Sequence, residues 1–184
     1  MRTMSEISER YARLATLFAD KIAAVPADRW ASAAPCEGWV ARDVVAHVIE
    51  TQGMFLGFIG KELGAVPDAA ADPLAAWTAT HGVVQSFLND PAIAQTEFDS
   101  FFGPTTFEAS VNRFLCFDLV VHNWDLSRAA GLDETLDPDD VARVNKLAIG
   151  FGDSMRAPNA FGPELQTTKN DPQSKLLAFL GREP

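Results

Sequence analysis

From Phe107 to Ala130 apolar residues recur every three or four positions, no Gly or Pro interrupts them, and Gly131 ends the run. Strands seldom exceed ~10 residues, so the run commits the chain to a long helix. Its apolar side then has to be covered by other elements. Several segments are suited to cover it. Ser5 to Ala24 carries Ile7, Tyr11, Leu14, Leu17, Phe18 and Ile22 at helical spacing, with Ser5 as N-cap, Glu6 and Glu9 in the first turn and Pro26 as a stop. Val40 to Leu63 and Pro73 to Leu88 repeat the pattern, the latter closed by Asn89-Asp90-Pro91. Asp137-Pro138 opens a further helix, cap followed by proline at the first helical position, running to Met155.

The connections are equally plain. Residues 27–38 hold Pro35 and Gly38 and read as a loop, as does the small, acidic stretch 64–73. Residues 95–107 alternate apolar and polar around Gly103-Pro104, which predicts a short hairpin or extended crossover before the fourth long helix. Residues 157–172 are rich in Pro, Gly and Asn and read as a loop or lid, and 173–184 as a short helix, Gln173 to Leu180, with a tail. The expected architecture is all-α: one domain over residues 1–184, a four-helix bundle with extra C-terminal helices.

Charge narrows the partners. Fifteen basic residues against twenty-five acidic ones leave a net charge of −10, a field that repels nucleic acid and anionic membrane surfaces. No apolar run is long enough for a membrane span, and the first residues lack the apolar stretch of a signal peptide. Cys36 and Cys116 form no CxxC pair. These features predict a reduced, cytoplasmic protein.

The three histidines carry the chemistry. Asp118, His122 and Asp125 share one stripe of the fourth long helix, and Asp43, His47 and Glu50 repeat that spacing on the second. Carboxylates among apolar neighbours need counter-charge or metal. Bundle helices that face each other with inward acids and histidines build metal sites. His47, Asp118 and His122 would supply two imidazoles and one carboxylate with a position left open, the composition of a catalytic zinc site that also suits nickel, cobalt or iron. A plainer reading stands beside this one: His122 as a core histidine bonded to a neighbouring carboxylate. Asp43 is expected to complement the helix dipole, Asp125 to orient a histidine N–H, and Glu50 to do the same or to sit solvated at the helix edge. His81 reads as a surface residue, Cys36 as a small packing residue rather than a nucleophile or ligand, and Cys116 as facing away from the stripe. Trp30, Trp39, Trp77 and Trp124 are expected in the core and at a pocket rim.

At these residues the chain resembles a family. PCEGWVARDVVAHV (35–48) and DLVVHNWDLSRAAGLDETLDP (118–138) resemble the second and fourth helices of DinB-like proteins, and more narrowly of the actinobacterial mycothiol-dependent maleylpyruvate isomerase N-terminal group. FGPELQTTKNDPQSKLLAFLGREP (161–184) is similar to the tail of a metal-binding subgroup. The resemblance implies a DinB-like bundle with one divalent metal, zinc first and nickel or another next, held by His47, Asp118 and His122. It also implies mycothiol as co-substrate. Glutamate is common at the Asp118 position in that group, and a Ser or Thr often opens the second helix where Val40 stands, so the capping box is expected to be lost.

The function expected is thiol-dependent S-transfer or isomerisation of a small electrophile, with a thiol and an electrophile as the partners. A non-catalytic metal- or ligand-binding stress-response protein is the alternative, and a helical homodimer with a buried ion-pair stripe is a third reading. Arg42, Arg113 and Arg128 are candidates to hold an anionic substrate, and residues 64–72, 95–106 and 156–172 are candidates for the pocket walls.

Overall fold

A computed structural model describes residues 5–156 and 161–184, so part of the expected loop, residues 157–160, lies outside the described residues. Helix α1 (Glu6–Ala24) starts at the Ser5 side chain, which accepts from the Ser8 N–H. Helix α2 spans Ala41–Gly57 and α3 Pro73–Leu88, the latter capped by Asp72. A single turn, α4 (Pro91–Ala94), leads to the antiparallel hairpin β1 (Glu97–Ser100) and β2 (Gly103–Thr106), with Glu97 opposite Thr106. Then come α5 (Phe107–Ser110), a π-helical turn (Val111–Leu115), α6 (Cys116–Ala130), α7 (Pro138–Phe151), a 3₁₀ turn (Gly152–Arg156) and α8 (Pro172–Phe179).

Four helices form the bundle. Helix α1 packs on α3 and α6, and α2 packs on the same two, so α1 and α2 stand on one diagonal. Tyr11 and Gln52 tie that diagonal: the phenol donates to Gln52 Oε1 at 2.8 Å, both side chains fully buried. Trp77 on α3 donates to Ala15 O at 3.0 Å and meets Phe18 edge-on. Helix α7 leans on α6 and carries α8. The core runs continuously through these elements.

Three expectations are corrected. The second helix stops at Gly57, short of Leu63, because Gly60 adopts φ +66 and Lys61 N–H turns back to Leu56 O, a Schellman stop that the apolar spacing conceals. The helix expected to reach Met155 ends at Phe151, where Gly152 has φ +54. The run 107–130 is helical throughout but not one α-helix. The π turn inserts one residue just before Asp118 and so resets which side chains share the face below it. Gly131 closes the run at φ +71, as expected.

Candidate metal centre

Two local devices set the second helix's contribution. Cys36–Trp39 is a β-turn in which Trp39 N–H donates to Cys36 O, with Gly38 at φ +77 in the left-handed region a glycine allows. The turn presents Cys36 and the Trp39 ring on one side. Val40 then begins α2, and its N–H donates to Asp43 Oδ2 at 2.9 Å. The reciprocal half of the capping box therefore persists without a hydroxyl residue, and Asp43 is a cap, not a ligand. One turn further, His47 points at α6.

His47, Asp118 and His122 come together. They offer ligand atoms that all lie within 4.8 Å of one another. The two imidazole rings meet edge-on at 4.9 Å, and Trp39 lies 4.8 Å from the His47 ring and 6.2 Å from that of His122. Donors about 2.0–2.2 Å from one tetrahedral zinc stand roughly 3.4 Å apart, and Asp118 Oδ1 and His122 Nε2 already lie 3.2 Å apart.

His122 is 4% exposed and holds a carboxylate on each nitrogen: Asp118 Oδ1 at 3.2 Å from Nε2 and Asp125 Oδ2 at 2.9 Å from Nδ1. Burial pushes its imidazolium down, but the two carboxylates outweigh burial and hold its pKa well above the ordinary histidine value. For His47 burial prevails over Asp118, and its pKa is lowered. Asp125 is fully buried, which raises its pKa, yet His122 and Arg182 together bring it down to about 2. An ionised Asp125 only accepts, so His122 Nδ1 carries the proton it accepts, and Nε2 is the nitrogen turned toward Asp118 and His47.

The two carboxylates differ in their remaining bonds. Arg182 donates Nε–H to Asp125 Oδ1 at 3.1 Å and Nη2–H to Oδ2 at 2.8 Å. Asp118 Oδ2 is buried with no hydrogen-bond partner among the described residues. A carboxylate oxygen buried beside two imidazoles and left unbonded fits a divalent cation.

Arg182 was not legible as a site residue. It arrives through a Schellman stop after α8: Gly181 N–H donates to Ala178 O and Arg182 N–H to Leu177 O, with Gly181 at φ +77. Cys36, expected to be a packing residue, lines the same pocket, its Sγ 3.5 Å from Asp125 Oδ2 and 3.6 Å from Arg182 Nη2. Cys36, His122 and Asp125 also lie close enough to hold an ion, but Arg182 already supplies the positive charge there. Of the two expectations for Glu50, orienting a histidine or sitting solvated at the helix edge, the second describes it, for it is exposed, and the side chain beside His47 Nε2 is Thr51, at 3.4 Å.

None of the three candidate arginines lines the pocket. Arg42 donates to Ala70 O and sits over Trp30, while Arg128 pairs with Glu134 at 2.7 Å over Trp124. Arg113 lies over the rings of Phe102, Phe114 and Phe151. Residues 64–72 form no part of the described wall, whereas the hairpin gives Phe102 and the C-terminal loop Phe161, Gly162 and Pro163. His81 is half-buried 5.4 Å from the Trp77 ring rather than at the surface. Cys116 is buried away from the pocket, and burial pushes its thiol up to about 12.

The model for the family described as mycothiol maleylpyruvate isomerase N-terminal domain matches residues 11–127, and so takes in His47, Asp118, His122 and Asp125. Two uncharacterized proteins of Mycobacterium tuberculosis, from strains CDC 1551 and H37Rv, are each 28% identical over 169 residues, covering 90% of this chain and 91% of their own length. No solved structure matches the chain. No described helix is long and apolar enough to cross a membrane.

Proposed function

Because this chain belongs to the mycothiol maleylpyruvate isomerase N-terminal domain family, we propose that His47, Asp118 and His122 hold one divalent cation, zinc or nickel. The protein would use that site to direct a small thiol, mycothiol, at an electrophile. The observation that carries this reading is the buried, unbonded Asp118 Oδ2 beside the paired imidazoles of His47 and His122. When bound, the cation supplies Lewis acidity that lowers the pKa of a thiol placed on it.

The chain's own residues do the rest. Asp125 accepts the Nδ1 proton of His122, which fixes the tautomer that leaves Nε2 as a donor atom. Arg182 neutralises Asp125 and so keeps it ionised in a buried place. Without a cation, Asp118 holds a proton on Nε2. Trp39 and the apolar wall beyond it give a thiol an apolar surface to lie on beside the imidazoles. The reaction class is addition of the thiol across an activated carbon–carbon double bond: sulfur bonds to one carbon, the π pair moves onto the activating group, and the thiol proton ends on the neighbouring carbon. If the adduct persists, the result is S-conjugation of the electrophile; if the adduct rotates about the former double bond before that proton is placed and the sulfur leaves as thiolate, the π bond reforms and the result is isomerisation.

Elemental analysis of protein purified without an affinity tag, with and without mycothiol, tests the site. About one divalent ion per chain is expected, together with metal-dependent loss of mycothiol in the presence of some electrophile. Metal content and melting temperature that survive the His47→Ala, His122→Ala double substitution unchanged would refute the site. Tight mycothiol binding without consumption would leave a binding protein.

A further inference from the structure

The pocket that opens on the candidate metal site encloses about 900 Å³, and its charge is confined to one end. Beyond His47, Asp118, His122 and Cys36 the wall is aromatic: Phe55, Phe102, Phe114, Phe117, Phe151 and Phe161 all face it. These rings form a connected surface. Phe102 stacks on Phe114 at 5.6 Å, Phe114 lies nearly parallel to Phe151 at 5.4 Å, and Phe117 meets Phe151 and Phe161 edge-on at 5.5 and 5.7 Å. The surface continues outward at the hairpin tip, where Phe102 is 43% and Phe101 89% exposed, and at Met54, which is 54% exposed on the same wall. Contiguous exposed apolar surface around a cavity marks a binding site.

The cations tell the same story from the other side. Arg182 is the one cationic side chain among the described lining residues, against the acids Glu37 and Asp118. Its guanidinium is committed: two N–H bonds to Asp125, one to Leu180 O, one toward Cys36 Sγ, and one face on the Phe161 ring at 4.9 Å. At the far end the Arg113 guanidinium lies against Phe102, Phe114 and Phe151 at 4.5, 5.4 and 5.2 Å without lining the pocket, so the surface a ligand meets there is benzene rings.

Resting on the thiol-and-metal reading above, we propose that the electrophile is a flat, neutral or singly charged molecule with an aromatic or conjugated apolar body. Its reactive carbon lies at the His47–Asp118–His122 end and its body along Phe102, Phe114 and Phe151. A small dicarboxylate, the kind of substrate the family name describes, is the poorer fit to this aromatic wall.

Equilibrium dialysis of the full chain, zinc-loaded and chelator-treated, against cinnamyl alcohol and against fumarate tests this without turnover. The aromatic alcohol is expected to bind at least ten-fold more tightly than the dicarboxylate in both states. Phe102→Ala, at an exposed hairpin position, should weaken it about five-fold and leave the melting temperature and zinc content unchanged, while Phe102→Leu should retain most of the binding. Fumarate binding as tightly as the alcohol, or alcohol binding indifferent to Phe102→Ala, overturns the proposal. Zinc is measured on the same samples, which separates the two readings: aromatic binding without a zinc site refutes only the proposed function, and a zinc site without aromatic binding refutes only this inference.

Discussion

His122 has two sides, and they are built differently. On the Nδ1 side Asp125 is fully buried, bonded to the imidazole at 2.9 Å and held by the Nε–Nη2 edge of the Arg182 guanidinium. On the Nε2 side Asp118 is 17% exposed, reaches the imidazole at 3.2 Å, faces the half-buried His47, and leaves Oδ2 without a partner. Both sides gather three groups able to hold an ion. Only one lacks a cation besides His122 itself. Clustering of ligand-type residues therefore does not single out a metal site by itself; the proposed one is distinguished by the carboxylate oxygen left without a partner among the described residues.

The largest effect is expected where that comparison is broken at its closed side. Asp125→Ala strands a buried guanidinium and frees the His122 ring, which should cost about 3–5 kcal/mol in urea unfolding of metal-free protein. Acid titration probes the same side more gently. Asp125 is held at about 2 against an ordinary 3.8, so its contribution is complete above the ordinary value and disappears as the pH falls through the folded one. Wild-type protein should then lose about 2 kcal/mol more than Asp125→Asn between pH 4 and pH 2. Equal acid slopes in the two proteins would mean that Arg182 does not hold Asp125 ionised. Gly181→Ala comes next. The added Cβ would sit 3.0 Å from Pro163 O at φ +77, so the residue that delivers Arg182 has to shift. A loss of about 1–2 kcal/mol is expected from strain at such a position, along with a shallower acid slope as Arg182 leaves Asp125.

The helices were legible because periodicity and caps agree over long stretches. Ser5, Asp72 and Asp137 mark their helices at the residues where the chain turns. The open side of His122 was equally readable, since the i, i+4 step on α6 and a second histidine on α2 need only two helices to pack. The closed side was not. Arg182 lies 57 residues from Asp125, and its position depends on how α8 seats against α7, which no local spacing encodes. The one available signal was indirect: a carboxylate in an apolar helix requires a counter-charge, and Leu180-Gly181-Arg182 offers one just past a glycine helix stop. The π turn at Val111–Leu115 left no mark in composition, because its residues are ordinary helix formers, yet it decides that Phe114, Phe117, Asp118 and His122 face one pocket.

The smallest change in stability should come from the open side, and it sharpens the comparison most. Asp118→Asn keeps the side-chain volume and a carbonyl oxygen for His122 Nε2, and removes a charge that only the His122 imidazolium, shared with Asp125, answers in the metal-free chain. In chelator-treated protein the cost should be no more than about 1 kcal/mol, the scale of one hydrogen bond weakened. Metal content, by elemental analysis of the same preparation, should fall to less than a tenth of wild type. The ratio of those two effects is the test: the closed side trades stability and leaves the ion's position intact, the open side trades the ion and leaves stability intact. If Asp118→Asn instead destabilises the metal-free chain as strongly as Asp125→Ala does, while bound metal stays constant, then both carboxylates serve the fold alone. The orphaned oxygen would then be an ordinary buried defect.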